Sequence, residues 1–574
     1  MKRFLTATAA LVAAVAGLAW LTFPQKSSAL APFPDGTIPG AIHIHSTRSD
    51  GRGTLDDIAR AAARAGLKFI VVTDHGDATR TPDPPVYREG VLCLDAVEIS
   101  TAGGHYIALD MPKAPYPLGG QARDVVDDVR RLGGFGIAAH PDSPRTELSW
   151  REWSAPFDGI EFVNPDTSWR QQIRPAWERR ATLPTALLLE RLFSYPFRPA
   201  ESIAALIQPT GVLTPWAEVV RRRRVVVAAG ADAHAQIAVW RSSDPAETRA
   251  AIPIPSYESS FRALSVHVRP ERALTGEAVA DAAAVLRAIR AGHLYTSLDG
   301  IATPPAFEFS AANAAGTARD GDELPAAGGP VKLRVRSNAP AWFTATIRNG
   351  GETLSGDHHE PDFTVEAPGG AGVYWVEIRA AGTPWLTSNP IYVRVAESAA
   401  GTSGRQRPPA SQKQPLMGGA SKTTWRVEHD PTSLAALDLP PVAPGPGGTA
   451  GSQARLRFGL AGGPPAGQYA ALVVDLAAGL AGNDRLVFTG RAERPMRISV
   501  QIRSDRGSWQ RSIFIDAVDQ ERTVFFDDLT PAAGADADTP PRAEIRSILF
   551  VIDTVNTRPG ASGRVWITDP ALQR

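Results

Sequence analysis

Nine histidines and carboxylates in the first half of the chain have the types and spacing that hold divalent metal ions. His43 and His45 form an H-x-H pattern, and alternate residues of a strand point to the same side, so both imidazoles can reach one ion. Imidazole mixed with carboxylate suits Zn, Mn or Fe, whereas an oxygen-only site suits Mg or Ca. Nine ligands exceed the needs of one tetrahedral ion, so we predict two or three ions sharing a carboxylate. The predicted ligands are His43, His45, Asp50, His75, Glu98, His105, His140, Asp232 and His234.

Any one of these side chains, taken alone, is better explained as an ordinary hydrogen-bonded residue. The ligand hypothesis depends on their shared position, because they lie at or beside the ends of short apolar runs. Such runs, separated by amphipathic segments such as Leu55–Ala65 and Ala122–Leu132, predict parallel strands covered by helices. Seven strands favour a closed barrel, whose active-site residues collect at the C-terminal strand ends. The runs are Ala41–His45, Phe69–Thr73, Ala96–Ile99, Tyr106–Leu109, Gly136–Ala139, Gly159–Val163 and Val225–Ala229.

Six segments that carry these residues resemble the PHP (polymerase and histidinol phosphatase) family, and are most similar to its exported members related to carbaryl hydrolase. They read AIHIHSTRSDG, FIVVTDHGD, DAVEIST, GGHYIAL, AAHPD and GADAHA. The resemblance spans about residues 38 to 300 and implies a distorted seven-stranded (β/α) barrel with two or three divalent ions. By this resemblance His43, His45, Glu98 and Asp232 hold one ion, Glu98 bridges to a second held by His105 and His140, and Asp50, His75 and His234 hold a third. Some relatives have a histidine where this chain has Asp50.

The resemblance and metal-water chemistry together predict an exported metal-dependent hydrolase. A metal-activated water attacks a phosphoester, and the alternative is a carboxylester, carbamate or amide. We predict His75, His234 and Asp232 as catalytic residues, with the two histidines able to donate a proton to the leaving group. A hypothesis of another class is an envelope glycan-binding protein with an inactive barrel.

Substrate recognition is predicted for three further residues. Arg48 and Arg52 stand next to ligand motifs and can bind a phosphate oxygen through their guanidinium groups, although a solvated arginine is the competing interpretation. Asn164 follows a strand end, where it either touches substrate or orders a metal ligand. Asp74 and Asp142 adjoin ligands and are predicted to orient histidines.

The N-terminus has the pattern of an export signal. Lys2 and Arg3 precede an apolar stretch, and Ala29-Leu30-Ala31 fits cleavage after Ala31. We therefore expect a signal peptide over 1–31 and a periplasmic or secreted protein, with a retained membrane anchor as the alternative. The chain has 60 basic and 60 acidic residues, which argues against nucleic acid as a partner and leaves a small-molecule ester. Cys93 is the only cysteine, so no internal disulfide can form.

Four regions follow the predicted signal. Residues 32–300 form the predicted α/β barrel, with a helical insertion at about 145–224. Short alternating strands over 301–397 predict a small immunoglobulin-like β-sandwich, and a Ser-, Gly- and Pro-rich linker covers 398–422. Residues 423–574 resemble galactose-binding-like jelly rolls. Their aromatic residues Trp425, Trp509 and Trp566 leave glycan binding as a hypothesis beside core packing.

Overall fold

A computed structural model describes residues 17, 23–178, 190–207, 211–238, 251–395, 413–418, 421, 423–439, 452–464, 467–532 and 534–574. Most of the predicted signal peptide and most of the predicted linker lie outside these residues. Within them, no helix is both long and apolar enough to cross a membrane. The chain divides into two compact units, Met1–Pro112 with Val125–Ser398 and Lys113–Asp124 with Ala399–Arg574.

In the first unit, short buried strands alternate with helices up to about residue 300. The first long helix shows how local sequence sets its ends: Thr54 caps it through a capping box with Asp57, and Gly66 ends it in the left-handed conformation. The strands are β1 (Ser28–Ala29), β2 (Ile38–Ile42), β3 (Phe69–Val72), β4 (Val86–Arg88), β5 (Val91–Asp95), β6 (Val97–Thr101), β7 (Gly104–Leu109), β8 (Phe135–Ala138), β9 (Gly159–Val163), β10 (Val226–Ala229), β11 (Ile237–Ala238), β12 (Ala251–Ile252), β13 (Ser265–Val268) and β14 (Leu294–Ser297). The helices are α1 (Leu55–Ala65), α2 (Ala122–Arg131), α3 (Pro165–Glu178), α4 (Pro199–Ala204), α5 (Leu213–Val220), α6 (Tyr257–Ala263) and α7 (Ala278–Ala291).

Two sheets position the candidate site. One has the order β10-β9-β8-β7-β6, and the other includes the run β13-β2-β3-β5-β4. Backbone hydrogen bonds also join the sheets at both edges. The N–H of Ala231 donates to the carbonyl of Ile42 at 2.8 Å, and the N–H of Glu98 donates to the carbonyl of Asp74 at 3.2 Å. The ends of β2, β3, β6 and β10 are therefore neighbours.

The strands are not all parallel, which corrects the sequence-based prediction. β7 runs antiparallel to both β6 and β8. Only two residues connect β6 to β7, and so short a link permits a hairpin but no parallel crossover. As a result the N-terminal end of β7, with His105, lies at the same edge as the C-terminal ends of its neighbours. A further strand that the sequence analysis missed, β13, pairs antiparallel with both β2 and β14.

Beyond residue 300 the first unit is all β, and one of its sheets continues from the α/β part. β14 pairs antiparallel with β24, so strands of both parts share a twelve-stranded sheet, and β16, β17, β19 and β22 form a separate four-stranded sheet. A 3₁₀ turn covers Ala326–Gly328. The strands are β15 (Ala302–Thr303), β16 (Phe307–Asn313), β17 (Gly316–Arg319), β18 (Glu323–Pro325), β19 (Val331–Ser337), β20 (Phe343–Asn349), β21 (Glu352–His358), β22 (Asp362–Ala367), β23 (Gly372–Ala380), β24 (Thr383–Ser388) and β25 (Ile391–Arg394).

The second unit is built on two six-stranded antiparallel sheets around one apolar core. Trp509 is fully buried in that core, the indole N–H of Trp425 donates to the carbonyl of Leu416, and Arg491 covers the ring of Trp566 at 3.8 Å. All three tryptophans therefore have partners inside the unit. Its strands are β26 (Gln414–Pro415), β27 (Thr424–His429), β28 (Leu434–Asp438), β29 (Gln453–Gly459), β30 (Tyr469–Asp475), β31 (Arg485–Ala492), β32 (Met496–Ser504), β33 (Gly507–Ile515), β34 (Gln520–Phe525), β35 (Thr530–Pro531), β36 (Ser547–Asp553) and β37 (Ser562–Gln573), with 3₁₀ turns at Phe526–Asp528 and Arg542–Glu544.

Candidate metal centre

The structure brings all nine predicted ligands together at one edge of the two sheets. His43 and His45 follow β2, His75 follows β3, and His140 follows β8. Glu98 and His105 lie within β6 and β7, Asp232 and His234 follow β10, and Asp50 lies in the turn after β2. Four overlapping groups have ligand atoms within 4.8 Å of one another. They are His45-Asp50-His75-His234, His43-Glu98-His140, His43-His45-Asp232 and His75-Glu98-His105.

Glu98 lies at the centre of the cluster, and its two oxygens face different sets of histidines. The carboxylate is almost completely buried. Burial alone would raise the pKa of Glu98, but the surrounding imidazoles hold it well below its usual range. Two oxygens with separate neighbours are what a carboxylate shared between two ions requires. Oε1 lies 2.8 Å from Nδ1 of His105 and 2.9 Å from Nε2 of His140, and Oε2 lies 3.3 Å from Nε2 of His43, 3.2 Å from Nε2 of His45 and 3.3 Å from Nδ1 of His75.

Asp50, His75 and His234 form the open edge of the cluster. Oδ2 of Asp50 lies 3.6 Å from Nε2 of His75 and 3.3 Å from Nε2 of His234. These side chains are 29%, 32% and 21% exposed, whereas those of the other six ligands are at most 9% exposed. A substrate can therefore approach the cluster at the open edge.

Unpaired nitrogen atoms indicate that cations belong in this cluster. Nε2 of His43, Nε2 of His45 and Nδ1 of His75 are buried and have no hydrogen-bond partner in the described part of the chain. A buried polar atom without a partner is unfavourable, and bound metal ions would satisfy all three. The donor set, six imidazoles with several carboxylates, suits divalent transition metals.

Glu161 is a buried carboxylate at the site that the sequence analysis missed. Its Oε1 lies 2.6 Å from Nδ1 of His43, and its Oε2 accepts a hydrogen bond from the N–H of His140 at 2.8 Å. Burial alone would lower the pKa of His43, but the carboxylates of Glu161, Asp232 and Glu98 raise it well above its usual range. The same negative field favours a bound cation. An acidic residue within the apolar strand GIEFV was the sequence signal for this position.

Three ligands have backbone conformations that are costly for residues other than glycine. His43, His140 and Asp232 have φ values of 68°, 28° and 44°. Non-glycine residues in this region cost about 1 to 3 kcal/mol each and cluster at functional sites. The surrounding hydrogen bonds hold these turns so that the side chains face inward.

The predicted substrate residues lie in three different environments. Asn164 is buried; its Nδ2 donates to Oδ2 of Asp232 at 3.1 Å, and its Oδ1 accepts from the N–H of Thr167 at 3.0 Å. Asn164 therefore contacts the predicted ligand Asp232 and caps α3, and its substrate-binding role stays a prediction. Arg48 forms ion pairs with Asp83 and Asp95.

Arg52 is exposed, and its guanidinium has no partner among the residues that the structure describes; its backbone N–H donates to the carbonyl of His234. Asp74 does not bond to a histidine directly. It accepts hydrogen bonds from the hydroxyls of Ser46 and Ser49 at 2.6 and 2.7 Å, and so holds the loop that carries Asp50. The carboxylate of Asp142 accepts a hydrogen bond from the N–H of Gly211.

Comparisons with known proteins give distant similarities, and no family model matches the chain. An uncharacterized protein of Methanocaldococcus jannaschii is 27% identical over 142 residues, which is 21% of this chain and 80% of that protein. A two-domain protein from Bacteroides vulgatus, described as containing a PHP-like metal-dependent phosphoesterase, is 14% identical over 64% of this chain and 99% of its own, with a TM-score of 0.28.

Two further solved structures resemble parts of the chain. A metal-dependent phosphoesterase from Bifidobacterium adolescentis is 14% identical, covering 34% of this chain and 87% of its own, with a TM-score of 0.21. A family 11 carbohydrate-binding module from Clostridium thermocellum is 16% identical, covering 29% and 95%, with a TM-score of 0.23. At such TM-scores the likeness carries no conclusion about function, which is therefore inferred from the side chains of the cluster.

Proposed function

We propose that this protein is a metal-dependent hydrolase of the PHP type that cleaves a phosphoester. The observation that carries the proposal is the cluster of nine ligands centred on Glu98, with an open edge at Asp50, His75 and His234. When bound there, divalent ions supply a nucleophilic water at neutral pH and polarise the phosphoryl oxygen. The cluster needs no serine or cysteine nucleophile, and Cys93 is buried.

The nine residues would form three sets of ligands, one for each ion. His43, His45, Glu98 and Asp232 would hold the first ion. Glu98 would reach the second together with His105 and His140, while Asp50, His75 and His234 would hold the third. Donor atoms of His43, His45 and Asp232 lie within 4.8 Å of one another, and those of Asp50, His75 and His234 do so together with His45. The second set is supported by Oε1 of Glu98, which lies 2.8 Å from His105 and 2.9 Å from His140. Zn, Mn or Fe suits the histidine-rich groups.

The chain's own residues orient the reactants and move one proton. Water forms the new bond to phosphorus, the ester P–O bond breaks, and the alcohol leaves with a proton. His75 and His234 are the most exposed histidines of the cluster, so we assign proton donation to them when only the first two ions are bound. Asp232, held by Asn164, completes the set that we propose acts in catalysis.

We further propose that seven strands of the two sheets form the distorted barrel of this family, in the order β2, β3, β6, β7, β8, β9 and β10. The backbone hydrogen bonds from Ala231 to Ile42 and from Glu98 to Asp74 support closure of the barrel, because they join β10 to β2 and β6 to β3. In such a barrel the ligands lie at one rim, as in other barrels whose loops carry the active site.

Replacement of His43 and His45 by alanine tests the proposal. We expect metal content to fall and hydrolysis of phosphomonoesters and phosphodiesters to drop at least 100-fold, because both rings face the central carboxylate. His429→Ala, an exposed histidine of the second unit, is the control and should change neither. A double variant that keeps its metal and its activity would overturn the proposal, and faster cleavage of carboxylesters or amides would assign the site to those bonds.

We also propose that the protein acts outside the cytoplasm, on a small ester and without nucleic acid. Its N-terminal charge and hydropathy pattern supports export. β1 pairs with β15, and the carbonyl of Ala31 accepts a hydrogen bond from Asn338. Because residues 28–31 take part in the fold, we propose that the exported protein keeps them. The mass of the protein isolated from its own cells tests this, and a chain beginning at residue 32 would contradict it.

A further inference from the structure

A pocket with mainly apolar walls lies directly beside the open edge of the cluster. It is formed by the start of α3, the segment 190–206, and the residues after β10, and it encloses about 710 Å³ including the open space at its mouth. Asp232 and His234 belong to its wall, so a group bound in it is adjacent to the proposed metal ions. Its principal apolar residues are Trp169, Tyr195, Ile203, Leu206, Ile237 and Ile254.

The polar side chains of this pocket make hydrogen bonds with the protein. The hydroxyl of Tyr195 bonds to Ser259 at 2.9 Å and accepts from the N–H of Ser256 at 2.9 Å. Several of its other polar residues are paired in the same way, and mostly hydrocarbon faces the space. Ser202 bonds to Ser194, Arg170 donates to Asp166, and Arg191 donates to Glu190.

The opposite side of the open edge is charged. Beside His75 lies a groove lined by Arg48, Arg80, Asp77 and Asp95. Arg80 and Arg48 both pair with Asp95, at 2.7 and 3.5 Å. Burying an apolar group among these charges would require their desolvation. In the pocket beside His234, the charged side chains of Asp166 and Arg191 are each paired with a neighbour. The two sides of the open edge therefore differ in the substrate groups that they can accept.

We propose that the pocket beside His234 binds the apolar alkyl or aryl part of the ester's alcohol. This inference rests on the proposed hydrolase function, because the bound group must be attached to the phosphorus at the metal ions. Burial of the alkyl chain against Leu206 and Ile203 holds the ester bond at Asp232 and His234. The protein thus selects esters of apolar alcohols over esters of small or polar alcohols.

Alkyl phosphates of different length test this without a change in leaving-group chemistry. We would measure alcohol release from n-hexyl and ethyl phosphate, and from their methyl diesters, by the full-length metal-loaded protein. We expect kcat/KM for the hexyl ester to exceed that for the ethyl ester by about 10- to 100-fold. Equal values would overturn this inference alone. If none of the four esters is hydrolysed, the proposed phosphoesterase function is overturned and this inference with it.

Variants of the pocket supply a second readout. Leu206→Asn keeps the approximate size of the side chain but makes it polar, and should reduce the hexyl-to-ethyl ratio about 10-fold. Ile203→Thr provides an independent change in the same wall. Leu354→Asn, a half-buried leucine of the β-rich part, is the matched control and should leave the ratio unchanged. Metal content measured in each variant separates a pocket effect from loss of the cluster, and an unchanged ratio in both metal-loaded pocket variants contradicts the inference.

Discussion

Oε1 of Glu161 lies 2.6 Å from Nδ1 of His43, and the two residues are 2% and 0% exposed. A carboxylate can only accept, so Nδ1 carries the hydrogen. In the neutral ring Nε2 is then free to bind a metal. Nε2 of His43 lies 3.3 Å from Glu98 and 3.4 Å from Asp232, the two carboxylates with which it would share an ion. Glu161 therefore fixes both the tautomer and the direction of the ring.

Removal of the Glu161 charge should weaken metal binding. Glu161→Gln keeps an acceptor for Nδ1 of His43 but loses the negative charge, so we expect about 10-fold weaker metal binding. Glu161→Ala loses both the acceptor and the charge, so we expect about 100-fold weaker metal binding. Competition with a chelator of known affinity measures the change. Glu360→Gln, an exposed glutamate, is the control. Unchanged affinity in both Glu161 variants would show that His43 does not depend on this contact.

Gly230 leaves the space that Glu161 occupies. A Cβ atom at this position would lie 1.8 Å from Oε1 of Glu161, so Gly230→Ala must displace the carboxylate or β10. We expect about 1 to 3 kcal/mol lower stability of the protein, together with weaker metal binding. Gly462→Ala is the control, because a Cβ there would meet no atom within 4 Å. Normal metal binding by Gly230→Ala would mean that the carboxylate has another position available.

The candidate ligands could be predicted from sequence because each belongs to a short local pattern. His43 and His45 closely follow β2, and the ends of neighbouring strands meet at one edge. The reversed direction of β7 was missed because residue periodicity does not report strand polarity. Glu161 was missed because its role depends on residues far apart in sequence. A carboxylate in an apolar strand cannot be assigned a role until the residues that it contacts are known.

The continuity of the first unit could not be predicted either. Alternating strands after residue 300 indicate a β-sandwich, but no local sequence pattern predicts that β24 pairs with β14. The contacts of Asn389 could not be predicted from local sequence either. It is a single polar residue after β24, yet its side chain binds backbone atoms more than 90 residues away.

Asn389 should stabilise the whole first unit. Its Oδ1 accepts from the N–H of Val227 at 2.9 Å, and its Nδ2 donates to the carbonyls of Val227 and Leu294 at 2.8 and 3.0 Å. Asn389→Ala removes the side-chain partner of the N–H and carbonyl of Val227, while the carbonyl of Leu294 keeps the backbone N–H of residue 389. We therefore expect a loss of about 2 to 4 kcal/mol in unfolding free energy. Denaturant titration measures it. Asn313→Ala removes exposed side-chain bonds to the carbonyl of Pro325 and the N–H of Ala315, and should cost less than about 1 kcal/mol because these groups can bond to water instead.

Asp299 should give the protein a specific pH dependence of stability. The hydroxyls of Ser265 and Ser297 each donate to its carboxylate at 2.6 Å, but burial outweighs them and raises the pKa of Asp299 from 3.8 to about 6. The folded state therefore holds this proton up to a higher pH than the unfolded state does. Its contribution to stability is complete below pH 3.8 and falls as pH rises to about 6.

Asp299→Asn removes this loss of stability at rising pH, because the amide of asparagine does not ionise. The stability of the variant relative to the parent protein should rise by up to about 3 kcal/mol between pH 4 and pH 7, at about 1.4 kcal/mol for each pH unit over which the two states differ in protonation. Urea titrations of both proteins across this range measure the difference, in which contributions of the metal ligands cancel. Asp127→Asn, an exposed position, should show no such trend. A difference that stays constant with pH would mean that Asp299 ionises equally in the folded and unfolded chains.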